Sequence, residues 1–307
     1  MYLKGNFYAD KFTEPDLRRA IDHFQEALRR QPDYALAYTG LAFAYGNLGY
    51  FGHVPPDSIV PQFRAAVSKA LELDDTLAET HFCLAQLHYN TNWDWSASEQ
   101  AFKQALELDP TNVWAHQLYA FLLTTMGRYS EALAEATFAL KLDPLSVNAN
   151  IYTGWMSLIT GDYDHALETA NRGIAMDPKF VNAHELKSYT LFRQGEHEAA
   201  IAVLEEASQI AYFPLVLGSL GRMYGLVGRT ADAQEILETL LTRAEDQFVP
   251  ALAIANTYDG LADYEQANEW MNKAIASREG GLDLLKVDFV VLPRPNPYYP
   301  EWLDKIG

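Results

Sequence analysis

The chain's 307 residues are 49% hydrophobic, 13% aromatic and 21% charged, which supplies a packed core and excludes a largely disordered chain. Acidic residues outnumber basic ones by 41 to 23, and the formal net charge of -18 sets a field against phosphate backbones and anionic lipid, disfavouring nucleic acid and membrane as direct partners. No apolar run approaches the roughly 20 residues of a membrane helix, the start Met1-Tyr2-Leu3-Lys4-Gly5 lacks a secretory signal's basic and apolar regions, and the single cysteine allows no internal disulfide, so a cytoplasmic chain is expected.

In chain order, Thr13-Glu14-Pro15-Asp16 reads as a helix start, and the helix it opens carries small residues at Ala20 and Ala27 before Pro32. The next pair of helices is interrupted by an insert, Tyr50-Phe51-Gly52-His53-Val54-Pro55-Pro56, that lengthens the loop between them, and Asp75 stands where proline closes other units. Further on, Ser96-Ala97-Ser98-Glu99 predicts a capping box. From there a period sets in. Pro110, Pro144 and Pro178 follow one another at 34 residues, with Ala132 and Ala139 before Pro144, and Ala166 and Gly173 before Pro178. Small residues at that spacing let two helices approach closely.

Between them recur turns with a leading glycine, Gly127-Arg128-Tyr129 and Gly161-Asp162-Tyr163, then Gly195-Glu196-His197 and Gly228-Arg229-Thr230 as weaker copies. Upstream of each turn lies a first helix with its own small residue, the set being Ala42, Ala85, Ala120, Gly154, Ser188, Gly221 and Ala255. After about residue 280 the period stops. The tail from Val291 to Pro300 is too proline-punctuated for an internal helix, and Trp302, Leu303 and Ile306 suit it to covering the last hairpin's open apolar end.

This pattern resembles the tetratricopeptide repeat. The resemblance implies an all-α fold, a right-handed α-solenoid of about eight helical hairpins at 1–32, 33–75, 76–110, 111–144, 145–178, 179–213, 214–247 and 248–280, with a Pro-rich C-terminal cap over 281–307. A narrower likeness lies in Gln31-Pro32-Asp33-Tyr34-Ala35-Leu36-Ala37-Tyr38-Thr39-Gly40-Leu41-Ala42, Ala70-Leu71-Glu72-Leu73-Asp74, Leu77-Ala78-Glu79-Thr80-His81, Trp93-Asp94-Trp95 and Leu285-Lys286-Val287-Asp288. These are similar to the repeat region behind bacterial class III adenylate or guanylate cyclase domains, winged-helix acid-response regulators and some serine/threonine kinases. In such proteins the chemistry sits in the N-terminal domain, so the likeness implies a sensor or docking module. Where their tails read Asp-Pro-Arg-Phe, this chain has Asp288-Phe289-Val290-Val291, then Asn296-Pro297-Tyr298-Tyr299.

Catalytic and metal motifs are wanting. His81, His116 and His184 fall at one first-helix position in successive units, where packing against the next hairpin is the expected role. There is no His-Glu-x-x-His and no paired-cysteine spacing, so no metal and no cofactor are expected, and Cys83 reads as a small buried hydrophobe. The glycines from Gly218 to Gly225 lack the Gly-Lys-Ser/Thr ending of a phosphate loop, no Gly-x-Ser-x-Gly elbow occurs, and Glu107, Asp109 and Asp143 sit at repeat-determined helix ends. The chain is expected not to be an enzyme.

The concave face remains, formed by outward positions of the first helices. Those positions hold Phe43 and Asn47, then Gln86 and Tyr89, then Trp114, Gln117, Phe121 and Thr124. They continue with Asn148, Ile151, Tyr152, Trp155 and Ile159, then Asn182, Glu185, Tyr189 and Arg193, with Arg222 and Asn256 beyond. Rings supply apolar contact and amides hydrogen-bond an extended backbone, so the expected partner is a protein or peptide, of basic character given the net charge. For Trp114, Phe121 and Trp155 packing between units competes with a role in the groove. The alternative is a small molecule held in the aromatic groove, which a pocket closed on several sides would favour.

Overall fold

A computed structural model describes residues 1–210, 212–287 and 296–307. Among these there are seventeen α-helices and no strand. Sixteen of the helices form eight antiparallel hairpins: α1 (Tyr2–Ala9) with α2 (Glu14–Arg30), α3 (Ala35–Tyr50) with α4 (Pro56–Leu73), α5 (Ala78–Leu87) with α6 (Trp95–Leu108), and α7 (Val113–Thr125) with α8 (Tyr129–Leu142). They continue as α9 (Val147–Thr160) with α10 (Tyr163–Met176), α11 (Val181–Arg193) with α12 (His197–Ile210), α13 (Pro214–Leu226) with α14 (Thr230–Asp246), and α15 (Ala251–Gly260) with α16 (Tyr264–Ser277). A 3₁₀ turn at Leu282–Lys286 and a last helix, α17 (Tyr299–Ile306), complete the solenoid with a C-terminal cap.

The two helices of a hairpin differ in how they are buried. In α3 ten side-chain positions from Ala35 to Leu48 are buried around the whole helix, whereas α4 buries one stripe of Pro56, Phe63, Ala66, Val67 and Ala70. The same contrast separates α7 from α8 and α13 from α14. First helices therefore form an inner layer and second helices an outer one with a solvated face. Contact between layers runs through the small residues. Ala42, Ala85, Ala120, Ser188 and Ala255 are fully covered, a Cβ on Gly154 would lie 2.5 Å from Leu186, and one on Gly173 would lie 2.5 Å from Ile151.

Helix starts are capped by side chains. Thr13 accepts from the Asp16 amide, and Asn112, Ser146, Asp162 and Asp263 each accept from the amide three residues on. One expected cap is corrected: α6 starts earlier than Ser96, on Asp94, whose carboxylate accepts from Ala97 N–H. Ser98 instead donates inward to the Ala85 carbonyl, and Glu99 pairs with Arg128 at 2.6 Å and accepts from Tyr119.

The array closes on itself. Its curvature brings the inserted loop of the second hairpin to the eighth, where a Cβ on Gly52 would meet Pro250 at 2.5 Å. The Arg278 guanidinium donates to the Thr91 carbonyl at 2.8 Å and stacks over Trp93, and Trp95 Nε1 donates to the Gly307 carbonyl at 3.0 Å. The 3₁₀ turn lies on the concave side, where the Asp283 carboxylate accepts from Tyr89 at 2.6 Å and Tyr50 at 3.3 Å. In α17, Trp302 and Ile306 are buried and Trp302 Nε1 donates to Asn268. The expected proline-rich stretch over Val291–Pro295, and the departure at Asp288–Val291, lie outside the described residues.

Gly127, Gly161, Gly195 and Gly228 turn each hairpin with φ between 74° and 88°, a conformation that glycine adopts without strain. Three other hairpins place a residue with a side chain there: Phe12 at φ 57°, Trp93 at φ 53° and Ala262 at φ 59°. Since the left-handed region costs such a residue roughly 1–2 kcal/mol, less glycine's extra unfolded-state entropy, Ala262→Gly is expected to raise unfolding stability by about 0.5–1 kcal/mol and Gly161→Ala to lower it comparably. Urea titrations of the two variants check this, and a less stable Ala262→Gly would show the turn is not strained.

Candidate binding site in the concave cavity

The inner helices and the 3₁₀ turn surround a cavity of about 170 Å³. Its wall is drawn from seven first helices: Asn47 and Tyr50 of α3, Gln86 of α5 with Tyr89 and Asn90 of the π-turn that extends it, Leu118 and Phe121 of α7, Tyr152 and Trp155 of α9, Asn182, Glu185 and Tyr189 of α11, Ser219 of α13, and Leu252 and Asn256 of α15. Asn182, Glu185 and Tyr189 form one stripe of α11 because three- and four-residue steps recur on one helix face. The stripes of neighbouring first helices converge because those helices form the inner layer. Phe121 and Tyr152 meet edge to face at 4.8 Å between ring centroids, and Trp155 and Tyr189 at 5.8 Å.

Of the concave residues expected from sequence, Asn47, Gln86, Tyr89, Phe121, Tyr152, Trp155, Asn182, Glu185, Tyr189 and Asn256 come together in this wall. Nine do not line it: Thr124 donates back to the Ala120 carbonyl, Phe43 and Ile159 pack against the core, and six more have environments of their own. Trp114 packs among Phe12 at 5.8 Å and Phe43 at 5.4 Å, in an aromatic cluster that the α1–α2 loop builds inside the curve. Ile151 is buried against Gly173 within its hairpin. Gln117 is covered, its amide without a hydrogen-bond partner, and the Asn148 carbonyl oxygen is likewise buried and unpaired. Arg193 reaches the Tyr163 hydroxyl from an exposed position. Arg222 is buried in an ion pair with Asp259 at 2.8 Å, and Asn296 donates to the same carboxylate at 2.6 Å.

Sequence reasoning missed the far wall. Gly281, Leu284 and Leu285 belong to it because the chain after α16 folds back across the concave side, facing Phe213 and Leu215 at the start of α13. No periodicity marks that segment, and only its apolar Leu282-Asp283-Leu284-Leu285 run was available as a signal.

The histidine period has its own account. His81, His116 and His184 each donate from Nε2 to a backbone carbonyl six residues earlier, of Asp75, Pro110 and Pro178, at 2.7–3.0 Å. In the fifth hairpin Asn150 does the same to Pro144 at 3.1 Å. The position thus satisfies the carbonyl of the inter-hairpin turn, a role different from the ring packing expected there. Cys83 is buried with its thiol donating to the Thr39 carbonyl, and burial pushes its pKa up, away from nucleophilic use.

Among the described residues Glu185 is the only formally charged one of the cavity wall. Its carboxylate accepts no hydrogen bond among the described residues, and burial pushes its pKa up to about 7. Across the cavity, burial also raises the Asp283 carboxyl, while the Tyr89 and Tyr50 hydroxyls donating to it pull it back.

Tetratricopeptide-repeat family models match residues 101–134, 122–179 with 160–211, and 251–279. No curated protein matches the sequence. Among solved structures the chain is similar to the APC/C hetero-tetramer Cut9–Hcn1, at TM-score 0.63 and 15% identity over 98% of this chain and 53% of that one. It is similar to the human IFIT1 dimer with PPP-AAAA, at 0.59 and 15% over 85% and 68%, and to the type IV pilus biogenesis factor PilW, at 0.53 and 20% over 69% and 94%. At these identities the likeness is one of fold.

A carboxyl whose folded pKa of about 7 lies above its ordinary 4.5 holds its proton in the folded chain over a range where the unfolded chain has lost it. It therefore lowers stability as pH rises from 4.5 through 7. Glu185→Gln is expected to be roughly 1–3 kcal/mol more stable than the parent chain at pH 8, with the gap closing near pH 5. Thermal melts across pH check this, and a pH-independent difference would show that the carboxyl is not desolvated.

Proposed function

Because the chain is a tetratricopeptide-repeat protein, we propose that it is a non-catalytic interaction scaffold whose concave cavity holds a compact ligand and thereby sets the curvature that its outer surface presents to a partner. Such arrays stack helical hairpins into curved binding surfaces. The observation that carries the reading is enclosure: the 3₁₀ turn and the α13–α15 helices wall the side of the groove along which an extended peptide would otherwise lie. A cavity of this size, about 170 Å³, matches small guests, since an engineered apolar cavity of about 150 Å³ takes up benzene. The net charge of -18 favours a protein partner of basic character for the outer surface. The likeness of the repeats to those behind bacterial cyclases, regulators and kinases supports reading the module as the regulatory part of a signalling system.

The double substitution Phe121→Ala with Trp155→Ala tests the site. It is expected to leave the melting temperature within a few degrees of the parent while abolishing uptake of fragment-sized aromatic and amine ligands, followed by ligand-observed NMR. A collapse in stability with the fragments still bound by the folded remainder would assign both rings to core packing and remove the cavity from consideration.

A further inference from the structure

Resting on the reading of the cavity as a ligand site, we propose that its ligand is a small organic cation, an ammonium, quaternary ammonium or guanidinium group on an apolar body, with Glu185 as counter-charge and Tyr152, Trp155 and Tyr189 as the surrounding rings.

The argument begins with charge. Among the described residues lining the cavity Glu185 is the single formally charged one, and no lysine, arginine or histidine is among them. Of the inner-layer arginines nearest in sequence, Arg193 turns outward to the Tyr163 hydroxyl and Arg222 is bound to Asp259, so among the described residues the wall offers the carboxylate no cation. An uncompensated carboxylate in an apolar site is costly, and an incoming positive charge would remove that cost. The rings point to the same class, because aromatic faces attract cations and do so most strongly where water is excluded.

A second, independent observation concerns hydrogen bonding. Gln86 is 4% exposed and lines the cavity, yet among the described residues its Oε1 has no partner, and the Asn90 amide nitrogen beside it is also unpaired. The free acceptor suits the N–H of an amine or guanidine. The chemistry of the wall does not suit a bare metal ion: calcium needs six to eight oxygen ligands and magnesium a near-octahedral shell, whereas here one carboxylate stands among rings and amides.

Among the described residues the ionisable groups facing Glu185 are Tyr189 on its own helix, Tyr152 of α9 and Tyr50 of α3, with Arg222 beyond Tyr189 and Asp283 behind the Tyr50 hydroxyl. Burial moves all three tyrosines above their ordinary value, so between pH 6 and 8 the change in the cavity's affinity follows Glu185.

The test uses the whole chain and calorimetric titration with choline, n-butylamine and n-butylguanidine, alongside 3,3-dimethylbutan-1-ol as choline's neutral isostere. At least one cation is expected to bind tenfold or more tightly than its neutral counterpart at pH 8, and about tenfold more weakly at pH 6, where most of the carboxylate is protonated. In Glu185→Gln, which remains folded by its melting curve, the preference and its pH dependence are expected to vanish while the neutral isostere still binds. Equal binding of cation and isostere to the parent chain overturns the cation assignment and leaves the ligand cavity standing. No binding by any of the three cations or the alcohol overturns both.

Discussion

The structure depends on how closely its helices approach. Along the inner layer there are places with no room for one additional carbon. A Cβ on Gly218 would lie 2.6 Å from the Ala253 backbone, one on Gly225 2.3 Å from that of Gly260, and one on Gly260 2.5 Å from that of Arg222. Helices α13 and α15 therefore meet backbone to backbone. When inner helices pack more tightly than outer ones the array bends, and this bend brings the eighth hairpin back to the second. Larger residues at these positions would hold the inner helices apart and flatten the solenoid.

Curvature then decides what the concave face can be. In an open solenoid the outward stripes of the first helices form a long groove, whereas here the returning chain seals one side. The seal is polar as well as apolar. Asp283 is held by two tyrosines from the second and third hairpins, and Glu279 accepts from the Ala251 and Leu252 amides at the start of α15, where a carboxylate complements the helix dipole. Two residues at the junction, Trp93 and Arg278, are both left-handed in backbone and stack on each other. Strain of this kind persists when surrounding contacts over-determine it, and these contacts join the two ends of the array.

The same enclosure creates the electrostatic oddity of the site. Tyrosines in the wall find partners, Tyr189 in Ser219 at 2.8 Å and Tyr50 and Tyr89 in Asp283, but among the described residues the Glu185 carboxylate does not. A residue that lowers the stability of the fold at neutral pH is hard to explain by packing, and natural proteins tolerate such conflicts chiefly where a site is used.

What the sequence determined by itself was the local and periodic part: helix starts such as Thr13, turn glycines at 34-residue spacing, buried small residues, and hence the helical hairpin and its repetition. These are legible because capping, turn chirality and close packing each act over a few residues and demand particular side chains. Ten of the cavity residues were legible for the same reason, since a helix face recurs at fixed steps. The histidine ladder was visible as a period but not as a hydrogen bond, because its acceptor is a backbone carbonyl that any residue supplies. Only the tertiary structure decided that the groove closes, that Trp114 and Ile151 turn into the core, that Arg222 is spent on Asp259, and that Glu185 stands alone among rings. Those outcomes follow from the summed curvature of eight hairpins and from a returning segment without periodicity, and distances accumulated over two hundred residues leave no mark in any local pattern.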